Sequence, residues 1–150
     1  MRVSGGALAT GLAVAAGLAG SVQVAVMSRL GERIGVAEAL GFATLLTAAV
    51  AFLGLLIVSR SIGGYERALH QPWWMLSGGL LGLLIVFTVT YAGPRIGIAA
   101  TVGILIAGQL VMGAAIDRFG LLGSQRIGLH WERILGIMLL AAGAALSLRK

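Results

Sequence analysis

Long apolar runs separated by short polar stretches make up the pattern of this chain. An α-helix needs about 20 mainly apolar residues to cross roughly 30 Å of hydrocarbon. Five segments qualify or nearly qualify: residues 5–27, 36–58, 73–92, 97–116 and 133–148. The fifth would extend only about 24 Å at about 1.5 Å per residue, so it needs residues 129–132, a thinner bilayer or a shielding partner. The pattern therefore predicts an all-α integral membrane bundle of five transmembrane helices.

The polar stretches between these segments are short. They predict loops at residues 28–35, 59–72, 93–97 and 117–133. Pro72 is placed to open the third helix, and Pro94 is placed to separate the third from the fourth. The first apolar run is longer than the roughly 7–15 residues of a signal-peptide core, so it is predicted to be a transmembrane helix. No loop can hold a soluble domain, and residues 1–150 are predicted to form a single transmembrane domain.

Composition supports the membrane class and removes several others. The chain is 59% hydrophobic and 11% charged, which is far too apolar for a soluble domain of this size. The net charge is +6, but its basic residues are spread in ones and twos between apolar runs, as in membrane-surface loops. We therefore expect a lipid bilayer and no nucleic acid as a partner.

No catalytic or metal-binding pattern is present in the sequence. The chain has no cysteine, so thiolate metal sites are excluded. His70 and His130 lie in predicted loops without a carboxylate at metal-ligand spacing. We predict that the protein is not an enzyme and uses neither a cofactor nor a metal.

The basic residues are nearly balanced between the two faces of the membrane. The face that holds the N-terminus carries six, and the other carries five. Two interpretations stay open: one loop decides the orientation, or copies insert both ways and pair as an antiparallel dimer. If Arg133 belongs to the fifth helix, the count is five against five. The six are Arg2, Arg60, Arg67, Arg118, Arg126 and Arg133, and the five are Arg29, Arg33, Arg95, Arg149 and Lys150.

Polar side chains inside apolar segments are the candidate functional residues. Gln109 lies near the middle of the fourth segment, where its amide must bond a neighbouring helix or face a cavity. Asp117 lies at the end of that segment, where it would cap the loop or pair with Arg118 or Arg126; proton binding is the alternative. The predicted substrate pathway consists of Gln109, Gln23, Thr44, Thr47, Thr88 and Tyr91, with Asp117 and Glu38 as latch or coupling residues.

Four stretches of the chain resemble one known family. They are "PWWMLSGGLLGLLIVF" (72–87), "GPRIGIAATVGILIAGQL" (93–110), "DRFGLLG" (117–123) and "RILGIMLLAAGAAL" (133–146). These motifs are similar to those of the YdcZ family, also called DUF606, in the drug/metabolite transporter superfamily of bacterial inner-membrane proteins. The resemblance implies a multi-pass inner-membrane protein with five helices per chain, an export role, and function as a dimer or as half of a ten-helix protein.

The chain also departs from that family. Met27 stands where an Asn is frequent, and Gly41-Phe42 stands where Ser-Phe is expected. The first helix has no membrane-embedded Glu like that of the related small multidrug resistance exporters, so proton-coupled export of organic cations is not carried over.

The sequence favours an exporter of a small solute that works by alternating access as a dimer. The dimer would be an antiparallel homodimer or a pair with an oppositely oriented paralogue. A dual-topology ion channel is an alternative, but the nearly all-apolar second and fifth segments offer no ring of polar groups for a filter. A non-transporting membrane assembly subunit is the other alternative.

Overall fold

The computed structural model describes residues 5–59, 63–128 and 130–148, and within them every regular element is helical. This confirms the all-α prediction. The elements are α1 (Gly5–Ile34), α2 (Val36–Ser59), α3 (Gly63–Leu69), α4 (Trp73–Ile96), α5 (Ile98–Phe119) and α6 (Trp131–Leu146), with one 3₁₀ turn at Leu121–Gly123.

Four of the helices are long and apolar enough to cross a membrane. Among the described residues these are α1, α2, α4 and α5, with 22 to 30 residues each. The fifth predicted span corresponds to α6, which has 16 residues and is shorter than such a span requires. The multi-pass membrane class is therefore supported, while the crossing of the bilayer by α6 stays a prediction.

The first predicted loop, residues 28–35, is wrong because α1 continues as a helix to Ile34. The only residue between α1 and α2 is Gly35, whose φ of +100° is unfavourable for residues with a side chain. Its N–H donates to the Gly31 carbonyl oxygen, and its own carbonyl oxygen accepts from the Ala39 N–H. Gly35 therefore completes both helices while turning the chain.

The predicted break at Pro94 is also wrong, because α4 runs through Gly93 and Pro94 to Ile96. Proline removes one backbone donor, which the last turn of a long helix tolerates. The break lies instead at Gly97, where φ is +88°. The Gly97 carbonyl oxygen accepts from the Thr101 N–H and so begins α5.

The chain divides into two compact units, Met1–Ala25 with Arg95–Lys150, and Val26–Pro94. In the second unit the last turns of α1 pack against the end of α4. The Ser28 hydroxyl donates to the Val89 carbonyl oxygen (3.4 Å), and Gly31 lies so close to Thr90 that an added Cβ would come 2.6 Å from its methyl group. The first unit is built on the packing of α5 against α6, where Ala144 is buried and approaches Gly103.

Candidate functional site

Gln109 is the twelfth of the 22 residues of α5, and its side chain is exposed in the single chain. Gly103 marks the face of α5 that packs on α6, since an added Cβ there would lie 3.1 Å from the Ala144 Cβ. Six residues on, Gln109 is turned about 120° away from that face at about 100° per residue. No side-chain hydrogen bond of Gln109 is present within the described part of the chain. The amide thus stands on a face that α6 does not cover.

An apolar groove between α5 and α6 lies close to this residue but does not include it. It has a volume of about 490 Å³, and Gly108, Met112 and Ala145 are among the residues that line it. Gln109 itself is therefore not part of the wall of this groove.

The other predicted pathway residues are also exposed in the single chain. The hydroxyl of Thr44 donates to the Leu40 carbonyl oxygen, and that of Thr88 to the Leu84 carbonyl oxygen, both at 2.8 Å within their own helices. The Tyr91 ring stacks on Phe87, with 6.1 Å between the ring centroids. These residues belong to the Val26–Pro94 unit, as does Thr47, whereas Gln23 and Gln109 belong to the other. Each unit thus holds part of the predicted pathway.

Glu38 lies in the first turn of α2. Its carboxyl group folds back over Gly35 and fills the space that a side chain at position 35 would need. An acidic group near a helix N-terminus is favoured by the helix dipole. This placement supports a structural role for Glu38 at the α1–α2 joint.

Asp117 pairs with Arg133, 16 residues further along, instead of the predicted Arg118 or Arg126. The Arg133 Nη2 donates to the Asp117 Oδ2 at 2.5 Å, and the side chains are 37% and 26% exposed, respectively. Arg118 follows Asp117 directly on the helix and therefore points about 100° away, and the Arg126 side chain lies against Gly120. The ion pair joins the end of α5 to the start of α6.

The segment between α5 and α6 is held against the end of α5. Gly120 ends that helix in the left-handed region (φ +65°), with its N–H donating to the Ile116 carbonyl oxygen. The Ser124 hydroxyl donates to the same oxygen at 3.2 Å. The Ile127 N–H donates to the Asp117 carbonyl oxygen at 2.9 Å. The turn thus directs the chain back so that Arg133 reaches the Asp117 carboxylate.

Metal binding finds no support in the part of the chain that the structure describes. There, no three His, Asp or Glu side chains come together in a group that could hold a metal ion.

Comparison with known proteins agrees with the helical, apolar architecture. The family described as "Putative inner membrane exporter, YdcZ" matches residues 8–146. The chain is 30% identical to the Inner membrane protein YdcZ of Escherichia coli (strain K12) over 138 residues, which cover 91% of this chain and 92% of that relative. No solved structure matches the chain.

The family match covers nearly the whole chain, including α2, α4, α5 and all but the first three residues of α1. It places the protein in the bacterial inner membrane as a multi-pass protein, and it indicates a transporter and not an enzyme. The resemblance noted in the motifs is confirmed: the chain belongs to the YdcZ family.

Proposed function

We propose that this protein exports a small solute by alternating access, working as an antiparallel dimer in which α6 is a fifth membrane-crossing helix. The substrate pathway in this proposal includes Gln109 and Gln23 together with Thr44, Thr47, Thr88 and Tyr91. The family assignment supports transport as the general activity. The dimer, the mechanism and the pathway are inferences from the side chains described above.

The observation that carries the proposal is the exposed amide of Gln109 at mid-length of an apolar helix. An amide without a hydrogen-bond partner in hydrocarbon costs on the order of several kcal/mol. A residue in this position must therefore meet water, solute or polar groups of another helix once the protein is in a bilayer. A water-filled pathway or a dimer interface at this face of α5 satisfies the requirement.

The dimer is supported by the balance of basic residues. The two predicted faces carry six and five basic residues, which is close to balance. A balanced count gives the insertion machinery no preferred orientation. Two oppositely inserted copies would together form the inverted repeat that many transporters contain within one chain.

The short α6 can cross the membrane if the bilayer thins or its ends are extended. Its 16 residues span about 24 Å at about 1.5 Å per residue, about 6 Å less than a typical hydrocarbon core. A mismatch of this size costs only fractions of a kcal/mol per Å. Trp131 begins the helix and is exposed, as suits an aromatic anchor in the interface.

Transport is tested by reconstituting the protein in liposomes and measuring flux across a panel of amino acids, sugars, organic anions and organic cations. We expect saturable flux of one class of solute and its strong reduction in Gln109→Ala, with the variant still folded. Met112→Ala is the matched control, since Met112 is also exposed on α5 but apolar. Equal flux in the wild type and Gln109→Ala would remove Gln109 from the pathway.

The same measurement separates the other two candidate functions. Non-saturable flux at channel rates would support the dual-topology ion channel. Absence of flux for every solute in the panel would support the assembly subunit.

A further inference from the structure

A second groove lies within the Val26–Pro94 unit, between α2 and the short helix α3. Its volume is about 860 Å³, which is within the roughly 300–1,000 Å³ of small-molecule sites. The rings of Phe52 and Tyr65 lie at one part of its wall, tilted by 49° with centroids 6.1 Å apart. The lining residues are Leu45, Ala48, Ala49 and Phe52 of α2 and Gly63, Tyr65, Glu66 and Leu69 of α3.

The α2 wall of this groove is apolar and lies within the membrane-spanning stretch of that helix. Phe52 is seven residues before the end of α2 at Ser59, which corresponds to about 10 Å along the axis. Residues 41–58 of α2 are exposed or partly exposed in the single chain. The groove therefore reaches from the membrane surface into the depth of the hydrocarbon.

Glu66 is the one residue with a charged side chain among the described residues that line this groove. The neighbouring Arg67 is not among the residues that line the groove, and one of its guanidinium nitrogens lies 4.0 Å from the position of a Cβ added at Gly64. A carboxyl group beside two aromatic rings attracts a cation, because the faces of the rings carry partial negative charge. The charge of the groove and its apolar length together favour a ligand that is cationic at one end and apolar along the rest.

We propose that the α2–α3 groove binds a single-chain cationic amphiphile, with its ammonium group at Glu66, Phe52 and Tyr65 and its alkyl chain along Leu45, Ala48 and Ala49. This site does not depend on the transport pathway around Gln109. The proposal concerns binding alone and is tested by a binding measurement. The protein could hold such a ligand whether or not it carries that ligand across the membrane.

The probe is radiolabelled dodecyltrimethylammonium, equilibrated with the full-length protein in lipid nanodiscs, with protein-free nanodiscs subtracted. We expect saturable binding at one site per chain. Glu66→Gln should weaken it by about tenfold or more, because it removes the charge and keeps the shape. Glu132→Gln is the matched control, since it removes the same charge from an exposed residue of α6 and should leave binding unchanged.

A variant that fills the groove keeps the test valid if Glu66→Gln fails to fold. Ala49→Phe retains the carboxyl group but occupies the path of the alkyl chain, and it should abolish saturable binding. Unlabelled dodecyl sulfonate and dodecyl maltoside, which share the tail but lack the cation, should not displace the probe. The proposal is overturned if they compete equally, if a two-chain aminophospholipid competes better than the unlabelled probe, or if either groove variant binds like the wild type.

Discussion

Asp117 and Arg133 each carry a charge that is unfavourable at its own end of a helix. Asp117 is two residues from the end of α5, and Arg133 is the third residue of α6. A helix dipole favours cations at the C-terminus and anions at the N-terminus, the reverse of this arrangement. Their mutual ion pair offsets the unfavourable interaction of each charge with its helix dipole. We therefore propose that the role of Asp117 is mainly structural and that it is not the residue that carries protons.

Asp117→Asn should therefore lower stability more than an ordinary surface change. The substitution leaves Arg133 unpaired next to the helix N-terminus, and we expect a loss of about 1 kcal/mol, or a fall of about 2–4 °C in Tm. Thermal unfolding of the purified protein measures this. Expression or dimer content should fall, while flux per folded protein should persist.

Exchange of the two charges provides the control for this prediction. The double variant Asp117→Arg with Arg133→Asp restores an ion pair and also places each charge where its helix dipole favours it. Its Tm should equal or exceed that of the wild type. If Asp117→Asn instead left a stable dimer but abolished pH-driven flux, Asp117 would be the coupling residue.

The sequence pointed to Asp117 but not to its partner. A carboxylate at the end of an apolar segment signals that a basic partner is needed, and several arginines follow within 16 residues. Which of them reaches it depends on the course of the turn, where Leu122 adopts a positive φ of 55°. Such a conformation is rare for a residue with a branched side chain and cannot be inferred from the apolar pattern.

Among the helical glycines, Gly31 of α1 has the tightest contact with another helix, at Thr90 of α4. Gly31→Ala should destabilise the protein although alanine favours helix by about 1 kcal/mol over glycine. The new Cβ would stand 2.6 Å from the Thr90 methyl group, and overpacking of this kind typically costs about 1–3 kcal/mol. The expected net result is a lower Tm in thermal unfolding.

Two further variants make that test specific. Thr90→Ser removes the offending methyl group but keeps a hydroxyl that can donate to the Val86 carbonyl oxygen, as Thr90 does. It should therefore rescue Gly31→Ala. Gly41→Ala in α2 meets nothing within 4 Å and should be neutral or slightly stabilising. Equal losses at Gly31 and Gly41 would show that the contact with Thr90 is not the cause.

Hydropathy located the helices well and their ends poorly. The segments predicted at 36–58 and 97–116 differ from α2 and α5 by at most three residues at either end. The segments at 5–27 and 73–92 stop short by seven and four residues, because α1 and α4 continue through polar sequence. Apolar composition reports the depth in the bilayer, whereas a helix continues as long as its backbone hydrogen bonds are satisfied. The short α3 was missed because its seven residues lack a long apolar run.

At the scale of the whole molecule, the number of crossings determines where the two termini lie. Five crossings place them on opposite faces of the membrane, and four place them on the same face. The chain has no cysteine, so a single cysteine added at either terminus can be labelled selectively with an impermeant maleimide. Dual topology predicts that each terminus is labelled to about half from each face.

A variant with a fixed orientation separates the question of whether α6 crosses the membrane from the question of dual topology. Lysines in place of His70 and Gln71, between α3 and α4, add positive charge to one face and should bias insertion. In that background, termini labelled from opposite faces would show that α6 crosses, and termini on one face would show that it does not. If the unmodified protein already labels from one face only, dual topology is wrong.

The single-glycine joints at Gly35 and Gly97 also limit where residues can be inserted into the chain or deleted from it. Each joint contains one non-helical residue between two long helices, so it has no slack to absorb an insertion. One extra residue within a helix near the joint would rotate everything beyond it by about 100° and advance it by about 1.5 Å. Every polar side chain of α2 or α5 would then point elsewhere. The gene should therefore not tolerate added or lost codons next to these two joints, because a change in length there also changes the orientation of the helix that follows.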